Sequence, residues 1–340
     1  NSAARPGPTA LKALTTAQIT QLGSAQLRAL GTAQINALTS GQVMVLAATT
    51  AGIGALSNDQ IAALSTTAVA ALKTNQVQAL STDQVQSLQA GQVAKLSATA
   101  ARQLTSSQLQ VLAYANVQAL LPSLQANQVA ALTTDQVQSF TTAQVAALTT
   151  AQIAALTSDQ VGALTTDQVH ALSATQVRAL SFDATTGQIK ALSNEQVAAF
   201  TTAAVAALRT DQIHAFSTDQ IRSLTDAQGA ALTAAEVGAL TASQLQALEQ
   251  ADLTALASLI GSSQISALTD DQVGSLGTAQ VHALTSGQVA SMGTSQLAAL
   301  TATQAAAMTS TQVRALGTAQ LRALTTDATA ALGTAAIATL

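Results

Sequence analysis

An all-α solenoid in which a short helix recurs every eight residues is the fold this sequence predicts, and three observations predict it. Reading from Thr133 gives TTDQVQSF, TTAQVAAL, TTAQIAAL, TSDQVGAL, TTDQVHAL and SATQVRAL without a gap. Each unit, written [T/S/G]-[T/S/A]-[D/A/S/T]-Q-[V/I/L]-x-A-L, opens with the hydroxyl-x-x-Gln signature of a helix capping box, and the preceding Leu and the Val or Ile at position 5 supply its hydrophobic staple. Ten of the 16 acidic residues fall at position 3 and eight of the 12 basic residues at position 6, the distribution that the positive start and negative end of a short helix favour.

Other regular structures fail on geometry. Positions 5 and 8 recur at an average spacing of 4.0, whereas a helix turns every 3.6 residues, so one unbroken helix would spread its apolar stripe around its whole circumference. In a strand, positions 5 and 8 would lie on opposite faces, and Ala, Gln and Asp are poor strand formers. A single eight-residue helix buries too little to stand alone. The units therefore have to stack, with Val/Ile, Leu and Ala inward, positions 3 and 6 outward, and stability accumulating between neighbours.

The elements follow in order. Residues 1–6 read as an extended arm; the row starts at Asn1 rather than Met, which fits a removed secretory signal. The octads begin at Gly7 and stay in register to Leu340, as one continuous repeat domain with short insertions near residues 47, 121, 181 and 257. Two extra residues near Ala47, and four each near Leu121, Ser181 and Ala257, are expected to add a turn or bulge without changing the register that follows. Setting these aside leaves 40 octads, 30 of them with Gln at position 4.

Composition excludes several function classes. Hydrophobic residues make up 48% of the chain, but there are only four Phe, one Tyr and no Trp, and charged residues are 8%, far below an ordinary enzyme. The absence of Cys removes disulfides, thiolate metal sites and Cys nucleophiles. A net charge of −4 offers no basic footprint for nucleic acid. Polar residues interrupt every apolar run, so no membrane-inserted segment is expected.

Candidate chemistry resolves into structure. His170, His214 and His282 all occupy position 6, separated along the chain, and read as variable surface residues. No HExxH, CxxC, phosphate-loop or nucleophile-elbow element is present. The pair Asp270-Asp271 matches no calcium loop and suits a helix start. Phe140, Phe200 and Phe216 replace Leu at position 8 and read as core, and Tyr114 is too isolated to stack bases or sugars. No catalytic residue, metal or cofactor is expected. A Thr-Thr array presented to ice or glycans is a further reading, weakened because the first Thr is engaged as N-cap.

The outermost octads point to assembly. GTAQLRAL, TTDATAAL and GTAAIATL close the row and GPTALKAL opens it, all apolar at positions where a solenoid normally carries a polar cap. Two sticky faces form a heterologous, head-to-tail contact that generates filaments when it does not close. Arg5, Pro6, Pro8, Leu11 and Leu14 on one side, and Leu332, Ile337 and Leu340 on the other, are the candidate polymer interface, with the chain itself as the partner.

The runs LTTAQVAALTTAQIAALT and LTSDQVGALTTDQVHAL resemble the octapeptide-rich segments of large bacterial surface or secreted proteins, often called adhesin-like or haemagglutinin-like. The resemblance covers nearly the whole chain but is compositional and carries over no functional residue. It implies an extracellular or cell-surface setting and contact with surface or matrix components. The resulting expectation is a structural protein, the subunit of an extracellular bacterial filament. The alternatives are a monomeric stalk of a secreted adhesin and a repeat-array protein that binds a surface.

Overall fold

The computed structural model describes residues 11–47, 51–183 and 187–333. Among these there are 37 short α-helices, two 3-10 helices and no strand, so the all-α, short-helix solenoid is the observed fold. Helices are four to seven residues long, from Thr16–Ile19 to Tyr114–Leu120. Contacts divide the chain into two compact units, Asn1–Leu164 and Thr165–Leu340, and both are built in the same way.

The octad Thr157–Leu164 shows why each helix is short. Thr157 is extended (φ −74°, ψ 161°) and its hydroxyl accepts from the backbone N–H of Gln160 at 3.1 Å, while Gln160 Oε1 accepts from the N–H of Thr157 at 2.8 Å. The two arms of the capping box start a helix at Ser158–Gly162. The chain leaves it through position 8, which is extended after the six-residue helices, as at Leu156 (φ −54°, ψ 141°) and Leu180 (φ −60°, ψ 136°). The next extended residue is already the next N-cap. The corner is thus made by positions 8 and 1, with no positive φ at any described residue.

Burial follows the predicted positions at 5 and 8, whereas Ala at position 7, expected inward, is only half-buried, as at Ala155 and Ala163, because the inner side is already filled by positions 5 and 8. Val161 and Leu164 are buried, as are the equivalent Ile153 and Leu156, whereas Asp159 and Gly162 at positions 3 and 6 are exposed. Phe140, Phe200 and Phe216 are buried in the place of Leu, and Tyr114 is half exposed. At position 3, the carboxyl of Glu195 is held below its usual range by its own backbone N–H at the helix start and by Ser193.

In most octads Gln at position 4 is buried, with Gln160 at 1% and Gln212 at 0% exposure, which the cap alone does not require. After one amide oxygen has accepted the cap N–H, the amide nitrogen donates to the carbonyls of the preceding turn: Gln304 to Val273 and Leu276 at 3.0 and 2.7 Å, 31 and 28 residues back. A turn is therefore 28 residues, or 3.5 octads of eight. Each helix accordingly packs on the third one along the chain, as Ala302–Ala306 does with Thr326–Ala331.

The four insertions are of two kinds. Around residues 47 and 181 the octad itself is lengthened: Gln60 reaches Leu30, 30 residues back, and Gln212 reaches Leu180, 32 back. Around residues 121 and 257 the extra four residues are a unit in their own right. Gln128 reaches Leu104 and Gln264 reaches Leu240, each only 24 back. Leu121 and Leu124, and likewise Ala257 and Ile260, are buried, so each short piece supplies its own two core residues. Counted in units rather than residues, every one of these turns holds 3.5.

Candidate assembly surface

The chemistry of this protein lies in how one turn meets the next. The Gln carboxamide suits the junction because one group both accepts and donates: Oε1 closes the cap of its own helix and Nε2 ties that helix to the turn before. Where position 4 is Ala, as at Ala68 and Ala204, the N-cap hydroxyl still accepts at 3.2 and 3.1 Å but the inter-turn donor is missing. Where the N-cap is Gly, as at Gly23 and Gly317, only the Gln arm remains, at 2.8 Å.

Position 6 forms a second ladder, running toward the following turn. His170, His214 and His282 donate through Nδ1 to the carbonyls of Ala199, Ala239 and Ala307 at 2.9, 3.2 and 2.9 Å. Gln110 and Gln246 do the same to Ala131 and Ala267 at 2.9 and 2.7 Å, and Arg28 to Ala55 at 3.0 Å. The histidines are surface residues, as expected, but each is also a rung. Among the described residues no three His, Asp or Glu side chains converge as a metal site would require.

Two Gln residues lack the inter-turn acceptor for a local reason. The helix Tyr114–Leu120 runs directly into the 3-10 turn Leu121–Ser123, so Leu120 is helical (φ −84°, ψ −20°) rather than extended. Its carbonyl is not presented to the next turn, and the amide nitrogen of Gln144 finds no partner among the described residues. Gln280 stands in the same relation to the helix Gln250–Leu256, where the Leu256 carbonyl accepts from Leu259 N–H at 2.8 Å. Around Gln144, Leu121, Pro122 and Arg102 line an open cleft of about 930 Å³.

Two acids replace Gln where the rung is buried. Thr233 N–H donates to Glu236 Oε2 at 2.6 Å, which leaves Glu236 Oε1 buried without a partner, and burial raises its pKa. Asp252, 2% exposed, has a buried unpartnered Oδ1, and burial together with Asp226 and Glu249 pushes its pKa up to about 6.

Of the eight residues picked out as a polymer interface, Arg5, Pro6, Pro8, Ile337 and Leu340 lie outside the described residues. Leu11 and Leu332 are buried within the chain, at 4% and 5% exposure, and Leu14 is half-buried. The Leu11 and Leu14 carbonyls accept from Gln42 at 3.0 and 2.8 Å.

The sequence pattern does not single out Gln18 and Gln26, whose polar groups are exposed. Their Oε1 atoms are capped as usual at 2.9 and 2.8 Å, and their amide nitrogens reach no described acceptor. At the other face no described donor reaches the carbonyls of Leu316 and Leu324. The Gln at position 4 was visible in the sequence, but the span it bridges was not.

A family model described as the ALTTAQ repeat matches the chain at residues 11–48, 53–90, 138–166, 185–218, 205–242, 275–310 and 306–340, more than half its length. The short units at 121–124 and 257–260 fall in stretches the matches leave uncovered. No curated protein matches the chain. No described helix is long and apolar enough to cross a membrane.

Proposed function

The chain belongs to the ALTTAQ repeat family, and from that premise we propose that it is a structural protein, the subunit of an extracellular bacterial filament whose copies join head to tail. The carrying observation is the complementarity of two turn faces. Gln18 and Gln26 present amide donors that reach no described acceptor, and Leu316 and Leu324 present carbonyls that no described donor reaches. Every pair of stacked turns inside a unit is joined by that same donor and acceptor, so a second copy can continue the ladder without a new kind of contact.

Non-enzymatic work fits the side chains as well, because His and Gln, the groups best suited to chemistry or recognition, are spent on backbone carbonyls. The extracellular setting rests on the resemblance to octapeptide-rich surface proteins.

Electron microscopy of the purified chain over a range of concentrations tests the reading. Filaments are expected for the wild type, and the double substitution Gln18→Ala/Gln26→Ala is expected to abolish them while the chain stays folded, losing only the two cap bonds at about 1 kcal/mol each. Dispersed single particles at every concentration would refute the filament and favour a monomeric stalk.

A further inference from the structure

We propose that Glu236 and Asp252 are proton-operated rungs, which tie their turns to the turns before them only when each carboxyl carries a proton. The repeat provides its own reference. Gln220 and Gln244, on either side of Glu236 along the chain, donate to the carbonyls 28 residues back at 2.8 and 2.9 Å. At Glu236 the corresponding carbonyls belong to Leu208 and Val205, and at Asp252 to Leu224 and Ile221. An ionised carboxylate has only acceptors to offer them, whereas a protonated one has a hydroxyl donor. Each acid keeps one oxygen buried without a partner, the state of a rung that has lost its hydrogen. Asn116 shows that the shorter side chain suffices: its Nδ2 donates to the Leu88 carbonyl, 28 residues back, at 3.3 Å.

The surroundings do not neutralise either group. Around Asp252 the charged neighbours are Asp226, on the helix packed against it, and Glu249, its own N-cap, both acidic. Arg222, beside the acceptor carbonyls, is exposed and paired with Asp219 at 2.9 Å. Around Glu236 stand Asp211, Arg178 and Arg209. Arg209 is stacked on Phe182 at 4.7 Å, and His214, on the same packed helix as Asp211, is committed to the Ala239 carbonyl. Both carboxyls titrate above their ordinary range. These two carboxyls therefore bind more protons in the folded protein than in the unfolded chain, for Asp252 between pH about 4 and about 6, so their contribution to stability falls as pH rises through that window and is greatest below it.

Hydrogen exchange read by mass spectrometry tests the inference on the whole chain. After correction for intrinsic exchange rates, amides in residues 201–256 are expected to be about tenfold better protected at pH 5 than at pH 7.5. The double substitution Glu236→Gln/Asp252→Asn installs permanent donors of the kinds found elsewhere at this position. It is expected to hold the high protection at both pH values, with each single substitution removing part of the difference. His214→Gln serves as control and is expected to leave the wild-type dependence in place. Equal wild-type protection at the two pH values, or a pH dependence that survives in the double variant, overturns the proposal.

Discussion

Asp252 occupies the space of a side chain that Gly229 does not have: a β-carbon built on Gly229 would lie 2.1 Å from Asp252 Oδ1. Gly229 stands at position 5, where most octads carry Val, Ile or Leu, and Asp252 stands at position 4, where most carry Gln. The two departures from the repeat compensate one another across a turn.

Restoring only one of them is therefore harmful. Gly229→Val is expected to destabilise the chain by about 1–3 kcal/mol through overpacking, while Gly229→Val/Asp252→Gln recovers the consensus pair. A double-mutant cycle in urea should return a coupling energy of about 0.5–3 kcal/mol; additive effects would mean the two sites do not share this space.

The two roles of Gln separate at positions that use one or both. Gln144 makes only the cap bonds, at 2.8 and 3.2 Å, so Gln144→Ala should cost about 1 kcal/mol. Gln304 closes its cap at 2.8 Å and also reaches Val273 and Leu276, and Gln304→Ala should cost about 3 kcal/mol by stranding buried partners. Chemical denaturation of both variants side by side reads the difference.

The position-6 ladder predicts which replacement of histidine is tolerated. His282→Ala loses the 2.9 Å bond to Ala307 and is expected to cost about 0.5–1.5 kcal/mol. His282→Gln is expected to be close to neutral, because Gln110 and Gln246 already fill this role. Melting temperatures of the two variants decide it.

At the core, Leu164→Asp places a carboxylate where the native side chain is 5% exposed. The cost is expected to exceed about 3 kcal/mol, read as a drop in the urea midpoint. A variant as stable as the parent would contradict the inward placement of position 8.

Much of this fold is legible from residues three apart. Thr157 and Gln160 announce a helix start, Val161 and Leu164 the core, and Asp159 the exposed first turn, because capping and amphipathicity act within one octad. The number of units per turn is not local. It depends on where the Gln160 amide nitrogen finds the Leu132 carbonyl, 28 residues away at 2.7 Å, and no spacing within the octad encodes that span. The two kinds of insertion did leave a trace: LPSL and ASLI end in residues fit for the core, whereas the lengthened octad at 181, SFDATTGQIKAL, adds mainly polar ones. The candidate assembly surface was read as apolar, and the exposed groups that distinguish it, Gln18 and Gln26, are polar residues identical in type to those buried in most other octads.

The half-integral turn has a mechanical meaning. Because 3.5 units complete a circuit, the corner between two helices in one course lies beside the middle of a helix in the next, as joints are staggered in brickwork. Within each unit no line of joints runs straight from course to course. A tear opening at one corner meets a capped helix at the next, and has to break an amide rung to go on.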